Sequence, residues 1–356
     1  MGGLPTTFGK NEIHTHDRIT FKRCRRKWAL SSHLRMNLVP ASGYAEVDEK
    51  LWYGTGFHFA LEDYHGYRRF ASPADAFQAF YDACRPDERP SNAEELLETA
   101  RKSLAYYEMW LRRRNEFETV WIDGKPQVEV HFQIPLPGGY VYAGTFDRIV
   151  RDPYDRWWVV EYKTAKKFDT AKLATDPQVT SYAWAAEQYY GREIEGFIYV
   201  QFLKKAPKPP RILSNGELST NKNQDTTYEL YRRTLIKLGI WDGKGSPPER
   251  YREILEYLAE QETPEGDAYI RRDIVRRNKY QKEAEYQKIL LELQEMTNPD
   301  LPIYPNPTRD CAWDCPYRSL CIAMDDGSDW EYMLEQDFAP RKEVSDAWRQ
   351  RIKWPE

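Results

Sequence analysis

Residues 159–167 have the sequence VVEYKTAKK, in which two charged side chains interrupt an apolar, strand-like run. Side chains two positions apart on a strand lie on the same face of a sheet, so Val159, Glu161 and Lys163 project together. Tyr162 then faces the opposite side of the sheet. The pattern therefore predicts that a carboxylate and an ammonium group converge on one point of this strand.

The stretches on either side of this strand predict an α/β fold. Alternating apolar and polar residues indicate three strands that short turns join into an antiparallel meander, at 127–134, 140–150 and 157–163. A helix over 174–191, which ends at a glycine, separates the meander from a fourth strand over 194–204. Helical periodicity over 51–70 and 93–113 places helices before the strands. The predicted order is α-β-β-β-α-β.

The chain has 356 residues, which is enough for one main domain with additions. We expect four regions in chain order: an N-terminal helical segment (1–50), the core (51–205), a mainly helical accessory segment (206–300), and a cysteine-rich C-terminal segment with its tail (301–356). The accessory segment includes a long predicted helix from Ile274 to Met296.

Charge and hydropathy exclude few classes of function. Charged residues make up 30% of the chain, but the formal net charge is only −4. The chain as a whole therefore has no strong positive charge that would indicate nucleic-acid binding, and the net charge does not exclude a local basic patch. The chain has no run of 18 apolar residues, and the opening sequence MGGLPTTFGK lacks the apolar core of a secretory signal. We therefore expect a cytoplasmic protein with no membrane partner.

Asp147, in the sequence GTFDRIV, lies on the predicted strand next to the one that carries Glu161. A twisted meander can bring these two carboxylates side by side, where they repel each other unless a divalent cation binds between them. Lys163 can then contact an anion that the cation holds. The alternative is a cross-strand salt bridge on a solvated sheet face, which is the more common meaning of an isolated E-x-K pattern.

Four short motifs follow one another in the core: G-x-x-x-H at Gly54 and His58, G-x-x-D at Gly144 and Asp147, E-x-K at Glu161 and Lys163, and Q-x-x-x-Y at Gln178 and Tyr182. Their order and separation resemble the PD-(D/E)XK nuclease superfamily, and more narrowly its RecB-like branch, which includes CRISPR-associated and phage exonucleases. The resemblance covers residues 50–203. It implies a restriction-endonuclease-like core, in which a mixed central sheet is flanked by helices.

The resemblance also implies a set of metal ligands. An active-site Mg²⁺ or Mn²⁺ would be bound by four groups: the side chains of His58, Asp147 and Glu161, and the backbone carbonyl of Tyr162. Glu129 matches an acidic position upstream of the G-x-x-D motif in many relatives, and it is not counted among the four. Without the other motifs, a residue such as His58 is more often a half-buried histidine of an amphipathic helix.

Three further residues would act with Asp147 and Glu161 as the catalytic set. Lys163 would orient or deprotonate the attacking water and stabilise charge on the phosphorane, with a pKa that partial burial and the nearby cation lower. Gln178 and Tyr182 are four positions apart on one helix face, and they would position the DNA backbone or the lysine. The alternative is that these two side chains only line the sheet.

Four of the five cysteines occur near the two ends of the chain, at Cys24, Cys311, Cys315 and Cys321. An odd number of unevenly spread cysteines argues against a disulfide framework and favours metal binding. The arrangement resembles the iron–sulfur staple of RecB-like nucleases, in which one cysteine before the core and three after it hold a [4Fe–4S] cluster. The spacing is C-x3-C-x5-C where the family usually has C-x2-C-x5-C, and a structural Zn²⁺ is the alternative occupant. The fifth, Cys84, is expected to be a small core residue.

A basic stretch with aromatic neighbours surrounds the first of these cysteines. Its cations are Lys22, Arg23, Arg25, Arg26 and Lys27, and its aromatic neighbours are Phe21 and Trp28. It predicts either phosphate contacts and base stacking with a single strand, or an ordinary solvated helix face.

Together these motifs indicate a metal-dependent DNA exonuclease that leaves 5′-phosphate and 3′-hydroxyl ends. It would act in DNA recombination, repair or phage DNA processing, in a bacterial or phage-infected cytosol, on DNA with a free end or a single strand. The chain has no G-x-x-x-x-G-K-[ST] motif, so a helicase or recombination partner would be a separate protein. The alternatives are an endonuclease or CRISPR-adaptation nuclease with the same chemistry, and a non-catalytic nucleic-acid-binding module on the same fold.

Overall fold

The computed structural model describes residues 9–41, 47–114, 116–341 and 346–355. Its α-helices are α1 (Thr15–Arg23), α2 (Arg25–Ser31), α3 (Glu49–Glu62), α4 (Pro73–Ala83), α5 (Ala93–Leu111), α6 (Pro177–Tyr190), α7 (Tyr228–Lys237), α8 (Glu249–Glu260), α9 (Lys279–Met296), α10 (Arg318–Asp326) and α11 (Trp330–Asp337). Its β-strands are β1 (Glu12–Ile13), β2 (Leu38–Pro40), β3 (Glu118–Thr119), β4 (Trp121–Ile122), β5 (Lys125–Pro126), β6 (Val128–Pro135), β7 (Val141–Arg151), β8 (Trp157–Ala165), β9 (Ile194–Leu203), β10 (Ile270–Arg276) and β11 (Phe338–Pro340). Most of the opening stretch in which no secretory signal is predicted, residues 1–8, lies outside the described residues. None of the described helices is both long and apolar enough to span a bilayer.

A seven-stranded mixed sheet forms the centre of the molecule, and its main path runs β1-β7-β8-β9-β10. β6, β7 and β8 pair antiparallel, as the predicted meander requires, and β3 also pairs with β7. β9 lies parallel to β8, because α6 carries the chain back between them. The predicted order α-β-β-β-α-β is therefore confirmed, with the ends of the four predicted strands within about two residues of those expected.

α6 begins and ends at residues whose chemistry suits helix termini. Asp176 caps the first turn by accepting the backbone N–H of Gln178 at 2.8 Å, and Pro177 occupies the first helical position. Gly191 ends the helix with a φ of +60°, a conformation that glycine adopts without steric cost. These caps place the side chain of Gln178 in the first turn of α6.

The sheet buries a different hydrophobic core on each of its faces. Val160 and Tyr162 pack with α3, α4 and α5, whereas Val159 packs with α1, α6 and α9. Neighbouring residues of β8 therefore point to opposite faces, as the sequence VVEYK predicts. Glu161, two residues after Val159, consequently faces α6.

Residues 206–300 are less uniformly helical than expected. α7 and α8 pack on each other around Tyr231 and Leu255. β10 then joins the central sheet beside β9, so the helix predicted over Ile274–Met296 begins only at Lys279. Local periodicity does not separate a short strand from the helix that follows it, and pairing with β9 decides between them. α9 packs against α6 in the main core.

The two ends of the chain meet on one side of the core. β2 and β11 pair antiparallel, and the hydroxyl of Tyr317 donates to the backbone carbonyl of Leu38 at 2.6 Å. Leu30, Tyr317 and Leu320 form a small hydrophobic core of their own. The fold therefore brings the C-terminal segment onto the N-terminal helices.

Candidate active site

The candidate site lies where β7 and β8 stop pairing. Their antiparallel register ends with Arg148 opposite Val160, and its continuation would place Asp147 opposite Glu161. At this fork the backbone N–H of Tyr162 donates to Asp147 Oδ2 at 2.7 Å. The fork therefore brings the two predicted carboxylates to neighbouring positions on adjacent strands.

Both carboxylates are deeply buried, with 7% of the Asp147 side chain and 3% of the Glu161 side chain exposed. Burial and the neighbouring Glu161 carboxylate raise the pKa of Asp147 to about 8, although His58 acts in the opposite direction. Ionising two neighbouring buried carboxyl groups is unfavourable unless a cation binds beside them. A divalent cation bound beside the pair would allow both carboxyl groups to ionise.

His58, Glu129 and Asp147 form a compact group that could hold a metal ion, because one ligand atom of each lies within 4.8 Å of the others. His58 Nδ1 lies 3.0 Å from Glu129 Oε1 and 3.5 Å from Asp147 Oδ1. Burial favours a lower pKa for His58, but Asp147 and Glu129 outweigh burial and raise this pKa to about 9. A proton and a metal ion therefore compete for the imidazole.

Glu129 reaches this group through an uncommon backbone conformation. Its φ is +46°, in the left-handed region that residues other than glycine seldom adopt. Val128 and Val130 on either side of it keep their register with β7, so the strain is confined to one residue. Strained residues of this kind cluster at functional sites. Glu129 is absent from the four predicted ligands, although its match to the acidic position upstream of the G-x-x-D motif is the sequence signal that points to it.

Glu161 adjoins the compact group without being part of it. Its Oε1 accepts hydrogen bonds from Gln178 Nε2 at 2.9 Å and from Lys163 Nζ. Its Oε2 is buried and has no hydrogen-bond partner among the described residues. A buried carboxylate oxygen without a partner is costly, and a metal ion would satisfy it. The fourth predicted ligand, the backbone of Tyr162, lies at the same fork, with its ring turned to the opposite face.

Lys163 remains 41% exposed at the side chain, and it contacts Glu161. Burial favours a lower pKa for Lys163, but Glu161 and Asp147 outweigh burial and raise the pKa above its usual range. The expected lowering of this pKa by a nearby cation stays a prediction. The residue presents an ammonium group, which is a hydrogen-bond donor for a phosphate oxygen or a water.

α6 presents its two motif residues to the site in different ways. Gln178 bonds directly to Glu161, as a positioning residue does. Tyr182 packs edge-on against Phe132 and Phe146, with ring centroids 5.3 and 5.9 Å away. These ring contacts are those of a residue that packs in the wall of the site.

The four cysteines from the two ends of the chain line one cavity of about 290 Å³: Cys24, Cys311, Cys315 and Cys321. The backbone N–H groups of Lys27 and Asn306 donate to Cys24 Sγ at 3.5 and 3.4 Å. That of Thr308 donates to Cys311 Sγ at 3.3 Å. In the described part of the chain, no three of the four sulfur atoms lie within 4.8 Å of one another, and no cysteine is in a disulfide. Cys84 is 3% exposed in the core, as predicted.

The basic stretch around Cys24 pairs with acidic residues of the C-terminal half. Each of its five cations contacts a carboxylate: Lys22 with Glu292, Arg23 with Asp310, Arg25 with Glu295, Arg26 with Asp325 and Lys27 with Asp314. Phe21 and Trp28 are only 5% and 0% exposed. The expected stacking of these two rings on bases is therefore wrong, because both rings are buried. The stretch instead joins the two ends of the chain.

A solved structure named "Crystal structure of SSO0001" matches with 15% sequence identity and a TM-score of 0.25, over 68% of this chain and 80% of that one. No curated protein matches the sequence. The family model of the PD-(D/E)XK nuclease superfamily matches residues 19–322, a range that includes every residue of the candidate site and the four end cysteines. The chain therefore belongs to the PD-(D/E)XK nuclease superfamily, which indicates a metal-dependent nuclease.

Proposed function

We propose that this protein is a metal-dependent DNA exonuclease of the RecB-like branch, which hydrolyses phosphodiester bonds to leave 5′-phosphate and 3′-hydroxyl ends. The observation that carries the proposal is the buried Glu161 Oε2, which lacks a partner among the described residues and lies beside a compact group of potential metal ligands. The motif order and the end cysteines support the RecB-like branch and exonuclease action by resemblance.

The donor set fits a hard divalent cation. His58, Glu129, Asp147 and Glu161 offer one imidazole nitrogen and several carboxylate oxygens, which suit Mg²⁺ or Mn²⁺. The carbonyl of Tyr162 is the fifth proposed ligand. When bound, the cation would polarise the scissile phosphate and lower the pKa of water.

The other catalytic roles are assigned to side chains of the protein. Lys163 would donate a hydrogen bond to a phosphate oxygen and stabilise the negative charge that grows there as water attacks. Gln178 would hold Glu161 in place through the bond to Oε1, so that the unpartnered oxygen faces the cation. The exposure of Lys163 leaves its ammonium group accessible to a strand of DNA.

The resemblance of the end cysteines to the RecB-like staple favours a [4Fe–4S] cluster over a single Zn²⁺. Four Zn–S bonds of about 2.3 Å in a tetrahedron hold the sulfur atoms about 3.8 Å apart. Among the described residues no three of these sulfur atoms lie within 4.8 Å of one another, and the four line a cavity of about 290 Å³. Backbone N–H donors to two of the sulfur atoms suit an iron–sulfur site, since such bonds tune the cluster. The cluster would bind the N-terminal helices to the C-terminal segment.

The proposed setting is recombination, repair or phage DNA processing in the cytoplasm. The substrate would be DNA with a free end or a single strand. Because the chain has no nucleotide-binding loop motif, unwinding would depend on a separate helicase or recombination partner.

The test is cleavage of end-labelled linear DNA by the purified full-length protein in Mg²⁺, Mn²⁺ or EDTA. We expect the linear substrate to be degraded from an end with metal present, and covalently closed circular DNA to stay intact. Lys163→Ala should lose the activity, whereas Lys102→Ala, which removes an exposed lysine paired with Glu98 on α5, should retain it. Labels on the 5′ and 3′ ends show the direction of degradation.

Other outcomes point to the alternatives. Cleavage of the closed circle would contradict exonuclease action and indicate an endonuclease or a CRISPR-adaptation nuclease. No metal-dependent cleavage of single- or double-stranded DNA by folded protein would overturn the catalytic proposal and favour a binding module.

A further inference from the structure

A large cleft lies on the α3 side of the sheet, next to the candidate active site. Its volume is about 870 Å³, and its walls come from residues 64–71, the end of α5 and the strands β3, β4 and β7. A cavity of this size is in the range of about 300–1,000 Å³ that organic ligands occupy. The cleft can therefore accept a group as large as a nucleotide.

The walls of the cleft carry more positive than negative charge. Four arginines line it, Arg68, Arg112, Arg148 and Arg151, together with two acidic residues, Glu108 and Glu118. Arg112 pairs with Glu108, and Arg151 pairs with Glu118. The other two arginines have no carboxylate within salt-bridge distance in the described part of the chain. The cleft thus holds two guanidinium charges that its own acidic residues do not neutralise.

Arg148 is the more unusual of these two arginines, because it is only 7% exposed. Its guanidinium donates to neutral oxygens: Thr119 Oγ1 at 2.9 Å, the Tyr162 hydroxyl at 3.4 Å and the Phe117 carbonyl at 3.3 Å. A buried charge without a counter-charge is costly, and an anionic ligand would supply that charge. Arg68, which lies over the ring of Tyr64, is exposed at the cleft wall.

The cleft also offers an exposed aromatic surface. Trp121 on β4 is 55% exposed, and no ring or cation contact involves it among the described residues. Aromatic rings beside guanidinium groups are the means by which proteins bind single-stranded nucleic acids, since bases stack on the rings and phosphates contact the cations.

The cleft adjoins the catalytic residues through β7 and β8. Arg148 follows Asp147 in the sequence, so their Cα atoms are about 3.8 Å apart and their side chains leave the strand on opposite sides. Tyr162 touches both, because its N–H donates to Asp147 and its hydroxyl accepts from Arg148. Tyr162 therefore connects the cleft arginine to the catalytic carboxylate through the sheet, and a strand bound at both places would have to run from one face of the sheet to the other.

We propose that the cleft is a second binding subsite for a single nucleic-acid strand, in which Trp121 stacks on a base while Arg68 and Arg148 hold a phosphate. This inference rests on the proposed nuclease function, since it places the subsite on the same strand that the active site cleaves. The cleft would retain the substrate between successive cleavages.

Binding of a fluorescent single-stranded oligothymidylate of about 12 nucleotides tests the subsite, in protein that also carries Lys163→Ala to prevent cleavage. Trp121→Ala should raise Kd about tenfold, and Trp121→Phe should restore it. Arg68→Ala should raise Kd and reduce the slope of log Kd against log salt by about 0.7. Arg252→Ala is the charge-matched control, because Arg252 pairs with Glu249 on α8, which contributes nothing to the cleft.

Hydrolysis of bis(4-nitrophenyl) phosphate, a diester too small to reach the cleft, separates the subsite from the catalytic centre. With Lys163 intact, Trp121→Ala should hydrolyse it at the wild-type rate. Unchanged Kd and salt slope in both cleft variants would overturn the subsite, as would an equal loss on the small diester. If the wild type hydrolyses neither DNA nor the diester, the nuclease proposal fails, and the binding comparison still decides whether the cleft holds a strand.

Discussion

The carboxylate of Asp147 accepts the backbone N–H of Tyr162 at 2.7 Å, at the point where β7 and β8 separate. This bond satisfies a strand N–H that has lost its partner on the neighbouring strand, and it fixes the orientation of the carboxylate. The other oxygen of Asp147 lies 3.5 Å from His58 Nδ1. One oxygen therefore holds the fold while the other is available to the metal group.

Glu129→Gln should weaken Mn²⁺ binding at least about tenfold, because it removes one negative charge from the compact group. The amide keeps the size of the side chain, so the fold should be retained. Titration calorimetry with Mn²⁺ measures the affinity, and Glu118→Gln on the exposed edge is the control. An unchanged affinity would exclude Glu129 as a ligand.

Gln178→Ala should lower kcat by about tenfold to a hundredfold with little change in KM, because it removes a hydrogen bond to the charged Glu161. Steady-state kinetics on an oligonucleotide measures both constants. Gln287→Ala on α9, where the glutamine bonds to Glu283 on the surface, should change neither. A rise in KM alone would instead assign Gln178 to substrate binding.

Gly144→Ala should lower the free energy of unfolding by about 1–3 kcal/mol. A Cβ there would lie 2.7 Å from Phe132 and 2.8 Å from the Tyr182 hydroxyl, so the ring packing must shift. Gly54→Ala is the comparison variant, and it should leave stability unchanged or raise it. A Cβ at Gly54 would meet nothing within 4 Å, and alanine stabilises a helix relative to glycine by up to about 1 kcal/mol. Urea unfolding compares the two variants. Equal effects of the two substitutions would contradict the packing at Gly144.

If the proposed cluster is present, Cys315→Ser should abolish iron binding and lower the free energy of unfolding by at least about 3 kcal/mol, because the cluster would close a loop across nearly the whole chain. Iron, sulfide and zinc analysis of anaerobically purified protein, together with urea unfolding, measures both effects. Detection of zinc and no iron would show that the four cysteines bind a structural Zn²⁺ and not an iron–sulfur cluster. Wild-type protein without either metal, and as stable as the variant, would contradict the staple.

Cys84 should react with iodoacetamide at pH 7.5 at least about tenfold more slowly than Cys24, Cys311 and Cys315 after metal removal. Burial raises the pKa of its thiol, so less of the reactive thiolate is present at any pH below that value. Mass spectrometry of labelled peptides measures the rates, and guanidinium chloride should remove the difference. Fast labelling in folded protein would place Cys84 outside the core.

The sequence predicted elements whose signal is local. Alternation in VVEYK located β8 and assigned Glu161 and Lys163 to one face, because the two-residue period of a strand needs no information from the rest of the chain. The glycine that ends α6 is an equally local signal. The start of α9 was misplaced, because residues 274–276 belong to β10, and only pairing with β9 distinguishes them.

By itself, the sequence determined the order of the core elements, the shared face of Glu161 and Lys163, and the membership of the superfamily. Only the tertiary structure decided that Glu129 joins the metal group through a left-handed backbone, that the basic stretch is neutralised by distant acids, and that Arg148 opens into a charged cleft. These features depend on contacts between residues far apart in the chain, and no local pattern records which charges will meet when the chain folds.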